Sequence, residues 1–310
     1  MHAASPTVTI ICLTELAKSD GPVPACLWCG ASLAAAEASG RRLLRCGSCG
    51  SDTTWPAPSA AELDDAYTGW YRPQEGRFSG PGDALLRLTR ASLARRIDER
   101  APAGPILDVG SGEGTLVAAM ESRGRTAVGI EREDDEIPLP DLPPEWAALI
   151  YWHSLEHLPH AGAEVATVSG RLAPEGVVFV SMPNRGSLQA RLFGDRWLHL
   201  DLPRHLVHVP ARALLARLRE HGLRVERVSY LRGGQVVFGW LHGLVGSLPG
   251  GVNLYDAIRR PAARSDALER RRRLGALAAA ALLLPLALVL AALEAALRQG
   301  GTVYVEARRV

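Results

Sequence analysis

The chain has 310 residues, 47% of them hydrophobic, and its formal net charge is +2. That length suits one large domain or two modest ones with a sizeable core, and the near-neutral charge argues against a dedicated nucleic-acid surface. The N-terminus, MHAASPTVTIICLTELAKSD, lacks the basic region and the long apolar region of a secretory signal. We therefore expect a cytoplasmic protein whose cysteines stay reduced, so that paired cysteines indicate a metal before a disulfide.

Two pairs of cysteines, each followed by glycine, lie near the N-terminus. Cys26 and Cys29 belong to CLWCG, Cys46 and Cys49 belong to CGSCG, and sixteen residues separate the pairs. This is the spacing of a zinc ribbon, in which two knuckles close a tetrahedral four-cysteine site. Because the protein supplies all four ligands, we expect the zinc to be structural. Cys12 stands alone and is expected to be a small buried residue.

An amphipathic helix is predicted shortly before residue 100, in the stretch DALLRLTRASLARRI. Its apolar positions include Leu85, Leu86, Leu93 and Ile97. From 101 to 231, short apolar strands alternate with helical patterns. That alternation is typical of an α/β fold with a parallel sheet.

Three glycines alternate with other residues in ILDVGSGEGTL, which begins at Ile106. PILDV predicts a buried strand, and the residues after it predict a turn and a helix. Gly110, Gly112 and Gly114 therefore lie at the C-terminal end of a strand, where doubly wound folds bind ligands. The alternative is a tight turn that needs glycine only for its backbone angles.

The spacing and a downstream acidic residue distinguish this stretch from a dinucleotide fingerprint. Thr115 stands where that fingerprint has its third glycine, so the actual spacing is G-x-G-x-G. A second predicted strand, TAVGIE, ends in Glu131, 17 residues beyond Gly114. An acidic residue at this place can accept both hydroxyls of a ribose, which indicates a nucleoside-containing ligand.

At this point the chain resembles the class I S-adenosylmethionine-dependent methyltransferases. The resemblance rests on ILDVGSGEG, on Glu131, and on ALIYWHSLEHLPH at 148–160, which is similar to the motif after strand four in methyltransferases of ubiquinone biosynthesis. VVFVSMPN, LRVERVSYL and GTVYVEARR then resemble strands five, six and seven in the family's order, so that the likeness covers roughly 85–310. It implies a Rossmann-like α/β fold, an enzyme, and S-adenosylmethionine as its cofactor.

The resemblance also implies roles for individual residues. Asp108 would organise the glycine loop, Glu131 would hold the ribose, and Trp152 and His153 would border the sulfonium. The backbone would approach the methionine part of the cofactor at Gly110, Ser111, Gly112 and Gly114. The expected organisation is a zinc ribbon in 1–56, a linker and capping helix in 57–100, the methyltransferase core in 101–231, a hydrophobic insertion in 232–300 and a final core strand in 301–310.

The segment REDDEIPLPDLPPEW departs from the family pattern. It contains four prolines and leaves only about fifteen residues between Glu131 and the next strand. The family normally fits a helix, a third strand and an adenine-contacting acidic residue there, and prolines exclude most of a helix. Because strand three is a sheet edge, its loss need not unfold the core, but it leaves the adenine pocket thinly walled.

Two groups of histidines are candidates for the chemistry. His153, Glu156 and His157 share one face of a predicted helix start, where they could bind a metal, supply a general base, or merely cap the helix and line the pocket. In relatives that act on quinone-type phenols, a metal sits at the corresponding positions, with a carboxylate where His153 stands in this chain. The second group lies in GDRWLHLDLPRHLVHVP, 194–210, and His205 is its candidate base. Other polar and aromatic residues of that loop are Arg196, Trp197, His199, Asp201, Arg204 and His208. A surface loop with ordinary hydrogen bonds is the alternative.

A run of 20 uncharged residues, Leu274 to Leu293, follows four arginines. As a helix it would be roughly 30 Å long, the thickness of a bilayer core. Because the final strand must rejoin the same sheet, the chain would cross twice, with 236–248 as the other arm, or dip in with a kink at Pro285, or lie in the interface. A helix buried in the fold or in a dimer is the alternative to membrane contact.

Together these features predict a methyltransferase at the cytoplasmic face of the membrane. Its expected acceptor is a hydroxyl of a sugar, a glycan or a lipid-linked intermediate, and the ribbon followed by YTGWY resembles the cap of sugar methyltransferases. Tyr67, Trp70 and Tyr71 would then cover the substrate, or pack on the solvent side. An RNA methyltransferase with a zinc-ribbon reader and a non-catalytic membrane-associated scaffold are the alternatives.

Overall fold

A computed structural model describes residues 24–33, 37–38, 42–67, 81–131, 145–231, 235–259 and 269–310. Its strands are β1 (Glu37–Ala38), β2 (Leu43–Arg45), β3 (Asp52–Thr54), β4 (Ile106–Val109), β5 (Ala127–Ile130), β6 (Trp146–Trp152), β7 (Leu172–Pro183), β8 (Val207–His208), β9 (Leu223–Ser229) and β10 (Thr302–Arg309). Its helices are α1 (Ala60–Ala66), α2 (Pro81–Arg100), α3 (Thr115–Glu121), α4 (Ala161–Arg171), α5 (Leu188–Phe193), α6 (Ala211–Glu220), α7 (Gln235–Gly246), α8 (Leu254–Ile258) and α9 (Arg270–Ala296).

The central sheet has six strands in the order β5-β4-β6-β7-β10-β9. Strands β5, β4, β6 and β7 are parallel, and β10 runs antiparallel between β7 and β9. ILDV of β4 and WAALIY of β6 are buried throughout, as expected for parallel strands covered on both faces. The predicted α/β fold is confirmed, including the return of the last strand into the sheet. Residues 132–144, where the sequence predicts a lost third strand, lie outside the described residues.

Helices α2 and α3 cover one face of the sheet. Leu93 and Ile97 of the predicted amphipathic helix are fully buried against Ile106 and Phe179, whereas the side chains of Leu85 and Leu86 lie outside the described residues. Arg96 fixes this helix to β10 through hydrogen bonds of 2.9 and 2.8 Å to the buried carboxylate of Glu306. Helices α4 and α6 pack on the opposite face.

A second, four-stranded sheet joins the N-terminal segment to the core. Its order is β1-β2-β3-β8, and β8 comes from the loop that follows α5. Trp28 is buried and donates from Nε1 to the carbonyl of Ala213 at 3.3 Å. A Cβ on Gly162 would lie 1.8 Å from the carbonyl oxygen of Trp28, so α4 and this segment are in close backbone contact. Strand β8, from beyond residue 200, therefore completes the sheet of the N-terminal segment.

Helices α7, α8 and α9 form the insertion before the last strand. Val236 and Trp240 at the start of α7 pack near Ala291 of α9, whereas Val245 at its end packs near Ala276. The two helices thus run antiparallel. Helix α9 continues through Pro285, and by length and composition it is long and apolar enough to cross a membrane.

Candidate functional site

The glycine loop follows β4 at the C-terminal edge of the sheet. Gly110, Gly112 and Gly114 have φ values of 81°, 62° and 67°, which side chains other than glycine rarely tolerate. A Cβ on Gly110 would lie 2.6 Å from the Cβ of Ser154, so this glycine is also required by packing against the end of β6. Beside Gly114 a Cβ would meet no atom within 4 Å. The loop thus combines a tight turn with open space on one side, which fits the approach of a ligand to bare backbone.

Glu131 lies directly after β5 and faces this loop. Its carboxylate accepts a hydrogen bond from the backbone N–H of Gly112, and the hydroxyl of Ser111 lies 3.5 Å from the same oxygen. The loop is also tied to β5 by the amide of Gly110, which donates to the carbonyl of Ile130 at 2.8 Å. Glu131 and the glycine loop, which the sequence predicts as parts of one site, are therefore joined by hydrogen bonds.

Asp108 and Trp152 are linked through an arginine of α2. Burial raises the pKa of Asp108 to about 6, against the opposing charge of Arg90. The guanidinium of Arg90 lies 5.4 Å from the centre of the Trp152 ring, within cation–π range. Arg90 was not singled out in the sequence, since one arginine in a helix rich in arginine gives no signal.

His153 takes an unusual backbone conformation at the end of β6. Its φ is 56°, a strained value for a residue other than glycine, and such strain clusters at functional sites. The ring is held on both sides: Nδ1 lies 3.3 Å from Oε1 of Glu156, and Nε2 lies 3.3 Å from the hydroxyl of Ser181. Because the Glu156 carboxylate only accepts, Nδ1 carries the proton. Both ring nitrogens of His153 are therefore engaged by protein groups, and Nδ1 donates to Glu156.

Glu156, His157 and His205 form the centre of a buried polar cluster. One potential ligand atom of each lies within 4.8 Å of the others. Burial would raise the pKa of Glu156, but the hydrogen bond from His153 and the nearby histidines lower it to about 2, so the carboxylate is ionised. The rings of His157 and His205 meet edge to face at 4.6 Å. The structure therefore brings the two histidine groups of the sequence together. His205, and not His153, joins Glu156 and His157 in the set of potential metal ligands.

Backbone carbonyls fix the tautomers of both central histidines. Nδ1 of His157 lies 3.0 Å from the carbonyl of Arg204 and 2.8 Å from the Tyr67 hydroxyl, and Nδ1 of His205 lies 2.9 Å from the carbonyl of His199. A carbonyl can only accept, so each Nδ1 donates and each Nε2 keeps its lone pair. Both rings can consequently accept a proton through Nε2. Trp70 and Tyr71, predicted beside Tyr67, lie outside the described residues.

The histidines of the loop that carries His205 are buried, contrary to the surface-loop alternative, whereas residues 194–196 at its start are exposed. His199 and His208 are 7% and 2% exposed, and burial lowers the pKa of each to about 3, so both are neutral at physiological pH. Nε2 of His205 lies 3.7 Å from the carboxylate of Asp201, which Arg204 holds through two hydrogen bonds. This arrangement can stabilise a positive charge on His205.

The four cysteines of the two knuckles converge at one point. The Sγ atoms of Cys26 and Cys49 are 3.7 Å apart, and those of Cys29 and Cys46 are 3.6 Å apart. These distances exclude disulfides and match the edge of about 3.8 Å of a tetrahedron with Zn–S bonds of about 2.3 Å. The thiols therefore fit a zinc ion. Cys12 lies outside the described residues.

The knuckles share one backbone design. Gly30 and Gly50, which follow the second cysteine of each pair, both have φ of 75° and donate to the carbonyls of Cys26 and Cys46 at 2.9 Å. Only a residue that tolerates positive φ closes this turn without strain, which explains the glycine in both CLWCG and CGSCG.

Strand β3 carries the ribbon into contact with the histidine loop. The hydroxyl of Thr54 donates to the carbonyl of His205 at 2.7 Å and accepts from Nε2 of His208 at 3.3 Å. The buried carboxylate of Asp52 pairs with Arg185, just beyond β7. These residues were missed in the sequence because their partners lie more than 130 positions away.

Two cavities in the described residues lie away from the glycine loop. One is a small apolar space between the ribbon and Leu206, and the other lies at Gly104 and Gly124, at the opposite edge of the sheet. Residues 68–80 and 132–144 lie outside the described residues.

Comparison with known proteins places this geometry in a family. A family model described as a methyltransferase domain matches residues 82–228. The ubiquinone biosynthesis O-methyltransferase of Thiobacillus denitrificans is 31% identical over 167 residues, which are 44% of this chain and 72% of that protein. A SAM-dependent methyltransferase from Archaeoglobus fulgidus is 14% identical, with 72% of this chain and 93% of that chain covered and a TM-score of 0.40. The [4+2]-cyclase SpnF is 17% identical, with 82% and 97% covered and a TM-score of 0.42.

S-Adenosylmethionine is the methyl donor of this family. The positive-φ glycines and Glu131 are the residues expected to bind it in this chain. The identity to the Thiobacillus enzyme over most of its length, with the domain match, shows that the chain belongs to the class I S-adenosylmethionine-dependent methyltransferases.

Proposed function

We propose that the enzyme methylates a hydroxyl of a sugar, a glycan or a lipid-linked intermediate. The observation that carries this proposal is the buried cluster of His157, His205 and Glu156 at the same sheet edge as the glycine loop. A hydroxyl is a weak nucleophile, so a positioned base accelerates methyl transfer to it, whereas a free amine reacts without one. The Thiobacillus relative is itself an O-methyltransferase, which supports oxygen as the acceptor atom.

The residues of this chain would position the acceptor and remove its proton. S-Adenosylmethionine supplies an electrophilic methyl group bound to sulfur. Nε2 of His205 would accept the proton of the acceptor hydroxyl as the methyl group is transferred. Asp201, 3.7 Å away, stabilises the imidazolium that forms. Alignment of the two reactants and proton removal are thus the two contributions of the protein.

A divalent cation is the second candidate for the cluster. Nε2 of His157 and of His205 both keep a lone pair, and Glu156 is ionised. Each Nδ1 is held by a backbone carbonyl, as is usual for histidines that bind a metal through Nε2. A cation there would polarise the acceptor hydroxyl in place of a protein base. Activity after treatment with a chelator that leaves the ribbon zinc bound distinguishes the two.

We also propose one structural zinc ion at Cys26, Cys29, Cys46 and Cys49. The thiol distances and the paired glycine turns support it. With all four ligands from the protein, the ion has no open position for substrate, so its contribution would be to hold β3 against the histidine loop.

Labelled S-adenosylmethionine tests the acceptor class. The purified enzyme is incubated with methyl-labelled cofactor and with lipid, glycan and RNA fractions of cells, and the Gly112→Val variant serves as the inactive control. We expect label in the lipid or glycan fraction, stable to mild alkali because an ether does not hydrolyse. Label that ribonuclease releases would instead establish the RNA methyltransferase alternative.

A further inference from the structure

Helix α9 packs on the enzyme through its small residues. Along the helix, Ala276 lies in a buried cluster with Val245, and Ala287 and Ala291 lie in another with Trp240. The residues buried in α9 are Ala276, Ala287, Ala291 and Glu294, which share one face at helical spacing. The fully buried positions of this leucine-rich helix are therefore mainly alanine, and Leu277, Leu283 and Leu290 are half-buried beside them.

Glu294 fixes the rotation of α9. Its carboxylate is fully buried and accepts hydrogen bonds from the backbone N–H of Gln189 at 3.0 Å, from Nε2 of Gln189 at 2.7 Å and from Nε1 of Trp240 at 3.0 Å. Separating a buried carboxylate from its three hydrogen-bond donors costs free energy, because the groups left behind are unsatisfied. The helix cannot turn its leucines inward without breaking these bonds.

The outer face of α9 is a continuous apolar stripe. Leu282, Leu286, Val289 and Leu293 are 82%, 46%, 57% and 53% exposed, and their spacing of i, i+4, i+7 and i+11 places them on one side. Only 17% of the most apolar window of α9 is buried, so it is not the core helix of a soluble fold. Soluble monomers rarely leave a patch of this kind in water.

From these contacts we propose that α9 docks the enzyme onto the surface of a membrane that contains anionic lipids. Four arginines, 270–273, begin the helix, and Arg298 follows its end. Arg270, Arg271 and Arg298 are exposed and can place their guanidinium groups among anionic headgroups while the leucines enter the acyl region. Arg273 instead donates to the carbonyl of Ala257 at 2.8 Å. This proposal does not depend on the acceptor of the methyl group.

The same charges disfavour a second copy of the chain as the occupant. In a parallel pair of α9 helices, the two arginine runs would face each other. In an antiparallel pair, each run would lie near Arg298 of the other copy. The acidic residue within the helix, Glu294, is buried and already bonded. Like charges would meet in either arrangement, which costs association energy.

The packing also selects one of the three membrane arrangements. Helix α9 contacts α7 and α8 from Ala276 to Glu294, and β10 begins at Thr302, only five residues beyond Leu297. Both ends are therefore attached to the same domain. A helix held along its length in this way lies in the interface plane and does not cross the bilayer.

Vesicle flotation tests the proposal. The full-length protein is mixed with one of two kinds of vesicle. The neutral vesicles contain phosphatidylcholine alone, and the anionic vesicles contain phosphatidylcholine with 30 mol% phosphatidylglycerol. We expect the parent to float with the anionic vesicles. In the Leu282→Ser/Leu293→Ser variant, the ratio of bound to free protein should fall at least tenfold. The matched control is Leu88→Ser/Val310→Ser, two exposed apolar residues outside α9, which should bind as the parent does.

Charge and self-association are measured on the same proteins. Arg270→Gln/Arg271→Gln should weaken binding to anionic vesicles more than to neutral ones. Circular dichroism and the thermal midpoint confirm that each variant is folded. A parent that floats with neither kind of vesicle, or no better than the leucine variant, would overturn the proposal. So would sedimentation showing a lipid-free dimer that the leucine variant splits into monomers.

Discussion

Replacing Cys29 with serine is expected to release zinc and to abolish methyl transfer, although Cys29 is far from the glycine loop in sequence. Structural zinc sites contribute apparent binding free energies of roughly 10–16 kcal/mol to folding, so the knuckles should not persist without the ion. Strand β3 would then lose its place, and with it the bond from Thr54 to the carbonyl of His205. The histidine loop would be released as a consequence.

Metal analysis, hydrogen exchange and turnover measure this prediction. One zinc per chain is expected in the parent, and Cys29→Ser should show no zinc and faster exchange at 206–210. Cys12→Ser is the matched cysteine control and should keep both zinc and activity. Freshly isolated, reduced parent protein that carries no zinc but turns over would show that the four thiols serve another purpose.

The second large effect is expected at His205. Its Nε2 lone pair lies beside Asp201, and loss of a positioned base typically lowers the rate 10²- to 10⁴-fold. His205→Ala should reduce kcat by that factor while cofactor affinity stays within a few-fold. Burial lowers the pKa of His157 to about 4, which makes it neutral but a weak base, so His157→Ala should cost about tenfold or less.

Kinetics at saturating cofactor and acceptor distinguish a base from a packing role. Asp201→Asn should lower kcat less than His205→Ala, because the base remains but its imidazolium is less stabilised. His160→Ala, outside the cluster but on the same segment, should resemble the parent. Turnover of His157→Ala and His205→Ala within a few-fold of the parent would exclude a histidine base at these positions.

Local sequence signals predicted the sheet and the glycine loop well. Apolar runs such as ILDV fix buried parallel strands, and alternating glycines fix the positive φ values at Gly110 and Gly112. The cysteine spacing likewise brings four thiols together without further information. Each of these signals lies within a few tens of residues, where chain geometry alone restricts the outcome.

Contacts between distant segments could not be predicted in the same way. His157 and His205 are 48 positions apart, and Thr54 reaches a loop 151 positions away. No periodicity encodes such pairs, because they depend on how β8 joins the ribbon sheet. The leucines of α9 were equally ambiguous. Composition predicts an apolar helix, but only the packing shows that the fully buried apolar positions are alanines and that leucines such as Leu282 are exposed.

Calorimetric titration of S-adenosylmethionine into the purified protein tests most directly whether the glycine loop and Glu131 hold the cofactor despite the short 132–144 connection. We expect one site per chain. Gly112→Val, which places a branched side chain at a φ of 62°, should abolish binding. Glu131→Ala should lose charge-assisted bonds worth roughly 1.5–3 kcal/mol, or about tenfold or more in affinity. A parent that binds no cofactor, or two variants that bind it as tightly as the parent, would contradict this site.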